Sequence, residues 1–359
     1  MALSSKIQQA LIGRRLAATA AVMLLMCGVL CCLVDAEKEP VRPISSVLTF
    51  GKRHKQTFNA HKINHHNRRL TKLVEEPPLI LTYHNGPILS TRPNVPVFII
   101  WYGNFKDHQM ATVRDFFSCF CADQHEHPSV KSWWNMTTSF KDKTGSAVAE
   151  TLKVEGEFYD RYYSKGRSLT DDDLEALVHN SLRKFPTNPN AIYVVLTADD
   201  VYVDDFCMNS CASHFSTRSA AQTKWHQLPY MWVGNSATQC PGECAWPFAK
   251  PDYGPTEAPL KAPNGDVGVD GMIINLAAML AGSATNPFNN GFYQGDAAAP
   301  LETATACTGM YGANAYPGYP GELKVDRQTG ASFNVRGIKN REFLVPALWN
   351  PKTLTCTPP

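Results

Sequence analysis

The chain has 359 residues, of which 44% are hydrophobic, 18% charged and 10% aromatic. That composition supports a packed core and excludes a wholly disordered or fibrous protein. A formal charge of +2 gives no general drive toward nucleic acid, and a mean hydropathy of -0.25 with a single long apolar run excludes a multi-span membrane protein.

The first 36 residues read as a signal peptide. Lys6, Arg14 and Arg15 form a basic start, Leu16 to Val34 form the apolar stretch, and Val34 and Ala36 suit the −3 and −1 positions of a cut before Glu37. An uncleaved anchor is the alternative, since about 20 apolar residues span a bilayer. Either reading puts the rest of the chain outside the cytosol, and membrane contact comes through this segment alone. Residues 37–78 read as a basic arm or linker. Within them, 51–73 carry seven Lys or Arg, four His and no acid. Such a stretch buries too little to fold by itself and suits either a solvated linker or adhesion to a polyanion. Residues 79–359 read as one globular domain.

Its elements follow in chain order. Ile80 to Tyr83 is a short strand and His84 to Pro87 a turn. Pro96 to Tyr102 is a continuous apolar run, the pattern of a buried strand. Residues 109–120 and 128–140 read as helices, the second opening at Pro128. Thr170 to Phe185 is the clearest helix: Thr170 caps it, Asp171 to Asp173 suit its positive end, and Leu174, Leu177, Val178, Leu182 and Phe185 share a face. Ala191 to Thr197 and Tyr230 to Val233 read as strands and Asp270 to Leu280 as an apolar helix. From Cys307 onward, Gly, Pro and Tyr mark loops with short strands. Strands mixed with helices predict an α/β domain, with α+β as the alternative.

Of 11 cysteines, Cys27, Cys31 and Cys32 lie in the signal segment. Eight remain: Cys119, Cys121, Cys207, Cys211, Cys240, Cys244, Cys307 and Cys356. An even number outside the cytosol implies bridges, but spacing alone leaves their connectivity open. The C-x3-C pairs Cys207/Cys211 and Cys240/Cys244 also fit a zinc cage. Disulfides are the preferred reading, because an oxidising compartment does not keep thiolates. Asn135-Met136-Thr137 is a glycosylation sequon.

Motifs for chemistry are sparse. There is no H-E-x-x-H, no G-x-S-x-G, no P-loop and no dinucleotide fingerprint, so no metal, nucleotide or other cofactor is expected. Asp199, Asp200, Asp204, Asp205, Asp266 and Asp270 are the carboxylates available for glycosidic acid–base work. They are equally ordinary loop residues. His214, close to Cys211, is a candidate for a special contact. Trp101, Trp232 and Trp246 suit core packing or sugar stacking. Tyr311, Tyr316 and Tyr319 lie in a Gly/Pro loop and are the better candidates for stacking on a sugar ring.

Several blocks carry a family resemblance. LTYHNGPIL (81–89), VFIIWYGNF (97–105), VVLTADDVYVDDFCMNSC (194–211), WVGNSATQCPGECAWPF (232–248), APNGDVGVDGMIINLA (262–277), YPGYPGEL (316–323) and LWNPKTLTC (348–356) resemble the EXORDIUM family of land plants, also called phosphate-induced proteins. The resemblance implies a secreted apoplastic or wall protein linked to brassinosteroid- and nutrient-responsive growth. It supplies no catalytic residues. It implies three bridges among six cysteines, leaving Cys119 and Cys121 outside the pattern. A fainter resemblance sets 272–293 beside a zinc-protease helix, which places the first ligand at Ala278, the base at Met279 and the second ligand at Gly282. None of these can hold zinc, so that comparison implies a zincin-like fold with a lost metal site. The expected function is binding of a wall polysaccharide, a receptor or another apoplastic protein. The alternative is a wall polysaccharide hydrolase or transglycosylase using the Asp residues.

Overall fold

The computed structural model describes residues 56–58, 78–122, 126–255 and 257–359. The proposed signal peptide and most of the basic arm lie outside the described residues. The described ones fall in one compact unit, Arg53–Pro359.

Six strands form the central sheet: β1 (Gln56–Phe58), β2 (Val95–Tyr102), β3 (Leu152–Asp160), β4 (Ile192–Thr197), β5 (Ala212–Ser216) and β6 (Pro229–Gly234). Their spatial order is β1-β5-β6-β4-β2-β3. β3, β2, β4 and β6 run parallel. β5 is antiparallel to both β6 and β1. The sheet is therefore mixed, as an α/β fold allows. β1 comes from the segment read as an arm, so part of that arm joins the sheet edge.

The central strands are apolar on both faces because both faces are covered. Val97, Ile99 and Trp101 of β2 enter one core with Ile192, Val194 and Leu196 of β4. Phe98, Ile100 and Tyr102 enter the other with Tyr193 and Val195. Helix α1 (Asp107–Ser118) covers the first face and α2 (Asp171–Ser181) the second. The crossovers explain this. The chain moves from β2 outward to β3 through α1, then back past β2 to β4 through α2. Right-handed crossovers running in opposite directions must place their helices on opposite faces. α2 starts where the sequence indicates, with the Asp173 N–H donating to Thr170 Oγ1 at 3.2 Å and the Thr170 N–H donating back to Asp173.

Helix α3 (Val267–Thr285) is longer than the sequence pattern suggests and is buried almost all round. It is apolar and long enough to cross a membrane, yet 94% of it is buried inside the protein, which identifies it as a core helix. It packs on the β5–β6 side of the sheet in the same core as α1. The zincin-like expectation finds no support here. Ala278 and Met279 are core residues, and Gly282 faces His214 and Glu302. Among the described residues no cluster of three or more His, Cys, Asp or Glu is placed to hold a metal.

Three disulfides brace the unit. Cys207–Cys240 and Cys211–Cys244 lie side by side and clip the loop after β4 to the segment after β6. The zinc-cage alternative for these four is thereby set aside. Cys307–Cys356 ties down the C-terminal strand across 49 residues, a loop whose closure is worth ~4 kcal/mol in chain entropy. Cys119 and Cys121 are outside these bridges. Cys119 is buried and accepts from the Ile338 N–H at 3.3 Å. Cys121 is exposed and donates to the Leu152 carbonyl at 3.3 Å.

Gly282 marks the tightest approach of α3 to the sheet. A Cβ there would sit 2.7 Å from His214 Nε2 and 2.9 Å from Glu302 Oε2. We expect Gly282→Ala to destabilise the fold by about 1–3 kcal/mol through overpacking, read as a lower urea midpoint at unchanged slope.

Candidate functional site

The C-terminal edge of the parallel strands is where doubly wound sheets usually take ligands. Here the protein's own side chains stitch that edge. After β4, Asp200 accepts from Tyr163 Oη at 2.9 Å and pairs with Arg167 at 3.3 Å. The Asp199 carbonyl accepts from Thr238 Oγ1 and Gln239 Nε2. The Asp205 carbonyl accepts the N–H groups of Met208, Asn209 and Ser210. At the start of α3, Asp266 caps the Val269 N–H and accepts from Gln109 Nε2 and pairs with His108. Burial raises the Asp266 carboxyl, but the hydrogen bonds from Gln109, Val269 and His108 outweigh it and hold it below the ordinary value. Asp270, one turn on, is 2% exposed and accepts from both the backbone N–H and Nδ2 of Asn264. Burial pushes its carboxyl up to about 7 against those hydrogen bonds. The side chains of Asp200, Asp266 and Asp270 thus hold a loop and a helix start.

His214 is also enclosed. It is 1% exposed, with Nε2 2.7 Å from Glu302 Oε2. Asn286 Nδ2 donates to the other Glu302 oxygen at 2.6 Å, and Asn286 Oδ1 accepts from the Gly291 N–H. This chain ties β5, the end of α3 and the following loop together. Its place in the interior corrects the expectation that His214 touches a ligand. Tyr311 needs the same correction. It is fully buried, with its ring 5.8 Å from that of Trp246 and its hydroxyl donating to the Trp246 carbonyl. Trp101 and Trp232 are core residues as well. Asn135 is exposed, while Thr137 of its sequon is buried and donates to the Trp134 carbonyl.

The remaining tyrosines define an open groove. In Tyr316-Pro317-Gly318-Tyr319 the Tyr319 N–H donates to the Tyr316 carbonyl at 2.8 Å, closing a tight turn. Gly318 takes the left-handed position at φ +90°, where a side chain is disfavoured. The turn sets the two rings 5.1 Å apart, and Tyr316 is 63% exposed. Pro251, Pro255, Pro259, Trp246 and Leu323 complete a groove of about 360 Å³, with Lys250, Glu257 and Ser332 as its polar groups. Aromatic faces with a few polar groups around them are what a sugar ring needs for stacking and orientation.

One wall of this groove is the hairpin of β7 (Lys324–Val325) and β8 (Ser332–Phe333), which contributes Val325 and Ser332. Beyond that hairpin lies a polar groove of about 690 Å³, bordered by Asp115, Asn264, Asp326, Arg336, Lys339 and Arg341 among others. Asn264 links its floor to α3, since its Nδ2 donates to Asp270 at 2.6 Å and its Oδ1 accepts from Arg341 at 3.0 Å. Asp115 accepts from Lys339 at 2.8 Å and from Arg341 at 2.9 Å. Burial works to raise the Asp115 carboxyl, but those two cations hold it below the ordinary value. Sequence reading missed this groove. Its residues come from three distant stretches, and no motif joins them.

Fold and site together define a disulfide-braced, doubly wound α/β protein with two adjoining surface grooves. Residues 81–359 match the family model described as Phosphate-induced protein 1 conserved region, and the chain belongs to that family. It is 48% identical over 295 residues to Protein PHOSPHATE-INDUCED 1 of Nicotiana tabacum, covering 81% of this chain and 92% of that one. It is 48% identical over 289 residues to Protein EXORDIUM-like 2 of Arabidopsis thaliana, covering 79% and 91%. It is 46% identical over 288 residues to Protein EXORDIUM of Arabidopsis thaliana, covering 77% and 88%. No solved structure matches.

Asp270 gives the fold a pH signature. Its folded carboxyl titrates near 7 against an ordinary 3.8, so the native state holds the proton more tightly than the unfolded chain. This contribution therefore falls as pH rises from about 4 to about 7 and is flat above that. The fall amounts to at most about 4 kcal/mol. Asp270→Asn should remove it, so the stability of the wild type relative to the variant, measured by urea unfolding, drops between pH 4 and pH 8. A difference independent of pH would refute the assignment.

Proposed function

We propose that the protein is secreted to the apoplast, where it binds cell-wall polysaccharide without transforming it. Through that binding it promotes cell expansion in a brassinosteroid- or nutrient-responsive way. The reading takes its compartment from the signal-like start of the chain, and three disulfides fit an oxidising environment. The tobacco relative carries phosphate induction in its name. The observation that carries the binding is the ring pair of exposed Tyr316 and half-buried Tyr319 lining the proline-rich groove. Rigid aromatic faces cost little ordering on binding and match the C–H face of a hexose.

Three of the carboxylates behind the hydrolase alternative are engaged in holding the fold. Asp266 and Asp270 are held by hydrogen bonds at the base of α3, and Asp200 by Tyr163 and Arg167.

The test is titration calorimetry with a neutral oligosaccharide such as cellohexaose. Tyr316→Ala and Tyr319→Ala should each weaken binding about fivefold, equivalent to ~1 kcal/mol per ring, with the thermal midpoint held. Mass spectrometry of the sugar after incubation should return it intact. Shortened products would favour the hydrolase. Capture of a receptor protein with no affinity for any glycan would reject the glycan reading.

A further inference from the structure

The two grooves share one wall, and their chemistries are complementary. One is aromatic and proline-lined, the other charged. A single extended ligand crossing the β7–β8 hairpin would lay sugar faces on Tyr316 and Tyr319 and place its next residues among Arg336, Lys339 and Arg341.

The acids of the polar groove are already committed. Asp115 uses one oxygen for Lys339 and the other for Arg341. Asp326 spends its oxygens on its own turn, accepting from the N–H of Gln328, the N–H of Thr329 and Thr329 Oγ1. Arg336 pairs with both Glu342 and Glu126, at 3.2 Å and 2.7 Å. The cations are more open. Lys339 is 72% exposed and Arg336 is 39% exposed. An ammonium offers three donor hydrogens and a guanidinium five, so neither is exhausted by the partners named.

The backbone at Lys339 is a second, independent observation. The Arg341 N–H donates to the Ile338 carbonyl, and Lys339 and Asn340 between them both take left-handed conformations, at φ 53° and 58°. Two such positions make a type I′ turn, where Asn, Asp or Gly is the norm and lysine is disfavoured. A strained residue that a commoner one would relieve is a pointer to use. Here the strain sets an ammonium at the border of the groove.

Resting on the polysaccharide reading above, we propose that the ligand is an acidic polysaccharide. Its uronic-acid carboxylates are taken by Lys339 and Arg336 in the polar groove while its rings stack on the tyrosine pair. Neutral glycans would use the first groove alone. An acidic peptide would satisfy the cations but would have no ring face for the tyrosines.

The experiment compares two probes on the full chain, a short oligogalacturonate and the same oligomer fully methyl-esterified. The acidic probe should bind at least tenfold tighter at low salt, with the gap closing as salt rises. Lys339→Asn should weaken the acidic probe about tenfold and leave the esterified one unchanged. Because asparagine suits the turn, its thermal midpoint should hold or rise. Lys339→Gln serves as the second variant and should show the same loss. The basic stretch at 51–73 is the same in wild type and variants, so the loss on Lys339 substitution reports the groove. Equal affinity for the two probes, or Lys339 variants that bind the acidic probe like wild type, would overturn the proposal and leave neutral-glycan binding standing. Binding of neither probe nor of cellohexaose would sink both readings. Tight binding of a poly-aspartate peptide that survives Tyr316→Ala would replace the saccharide with a peptide and also overturn it.

Discussion

Burying α3 on every side is the constraint from which the rest follows. A helix with no solvent face draws the partners for most of its polar atoms from within the protein. Its cap Asp266 draws on α1 through His108 and Gln109. Asp270 draws on Asn264, and through it on Arg341. Asn275 donates to the Cys244 carbonyl, beside the disulfide that clips β5 to the segment after β6. At the far end Gly282 leaves room for the His214–Glu302 pair, and Asn286 anchors the loop that follows. The demands of one buried helix thus organise the surface segments that come to it.

The grooves are a by-product of that organisation. Segment 257–264 runs to the start of α3 and borders the tyrosine groove with Pro259 and the polar groove with Asn264. The β7–β8 hairpin docks on it, with the Ser332 N–H donating to the Lys261 carbonyl and Lys261 Nζ donating to the Thr329 carbonyl. One ridge therefore separates an apolar surface from a charged one. Loops held this closely to a rigid core are where binding surfaces usually arise, because the scaffold fixes their geometry before the ligand arrives.

The carboxylates illustrate how burial redirects chemistry. In sequence, Asp199 to Asp205 and Asp266 to Asp270 look like acid–base pairs. In the fold the side chains of Asp200, Asp266 and Asp270 act as anchors whose lone pairs are used by nearby N–H and O–H donors. Asp270 keeps its proton to near neutrality because the interior penalises its charge, with Asn264 as its partner. The same residue type at the surface, Asp326, sits below the ordinary value because its own turn donates to it.

Local pattern made much of this protein legible in the sequence. β2, β4 and β6 announced themselves as apolar runs, α2 by its cap and stripe, and the Tyr316–Tyr319 turn by Pro and Gly at the positions a turn requires. Strands β3 and β5 did not. β3 carries only a weak alternation, Leu152, Val154 and Phe158 between charged residues on an edge strand, and β5 is short, with Phe215 its one large apolar residue. The fates of Tyr311 and Tyr319 could not be told apart either, since both sit among glycines, and only packing against Trp246 decided which one turned inward. The cysteine pairing and the polar groove were likewise out of reach. Residues 115, 264 and 326–342 meet because α1, the approach to α3 and the C-terminal hairpins converge in space. Sequence determined the elements whose formation depends on neighbours a few residues away. Tertiary structure decided everything that depends on which distant surfaces the buried helix drew together.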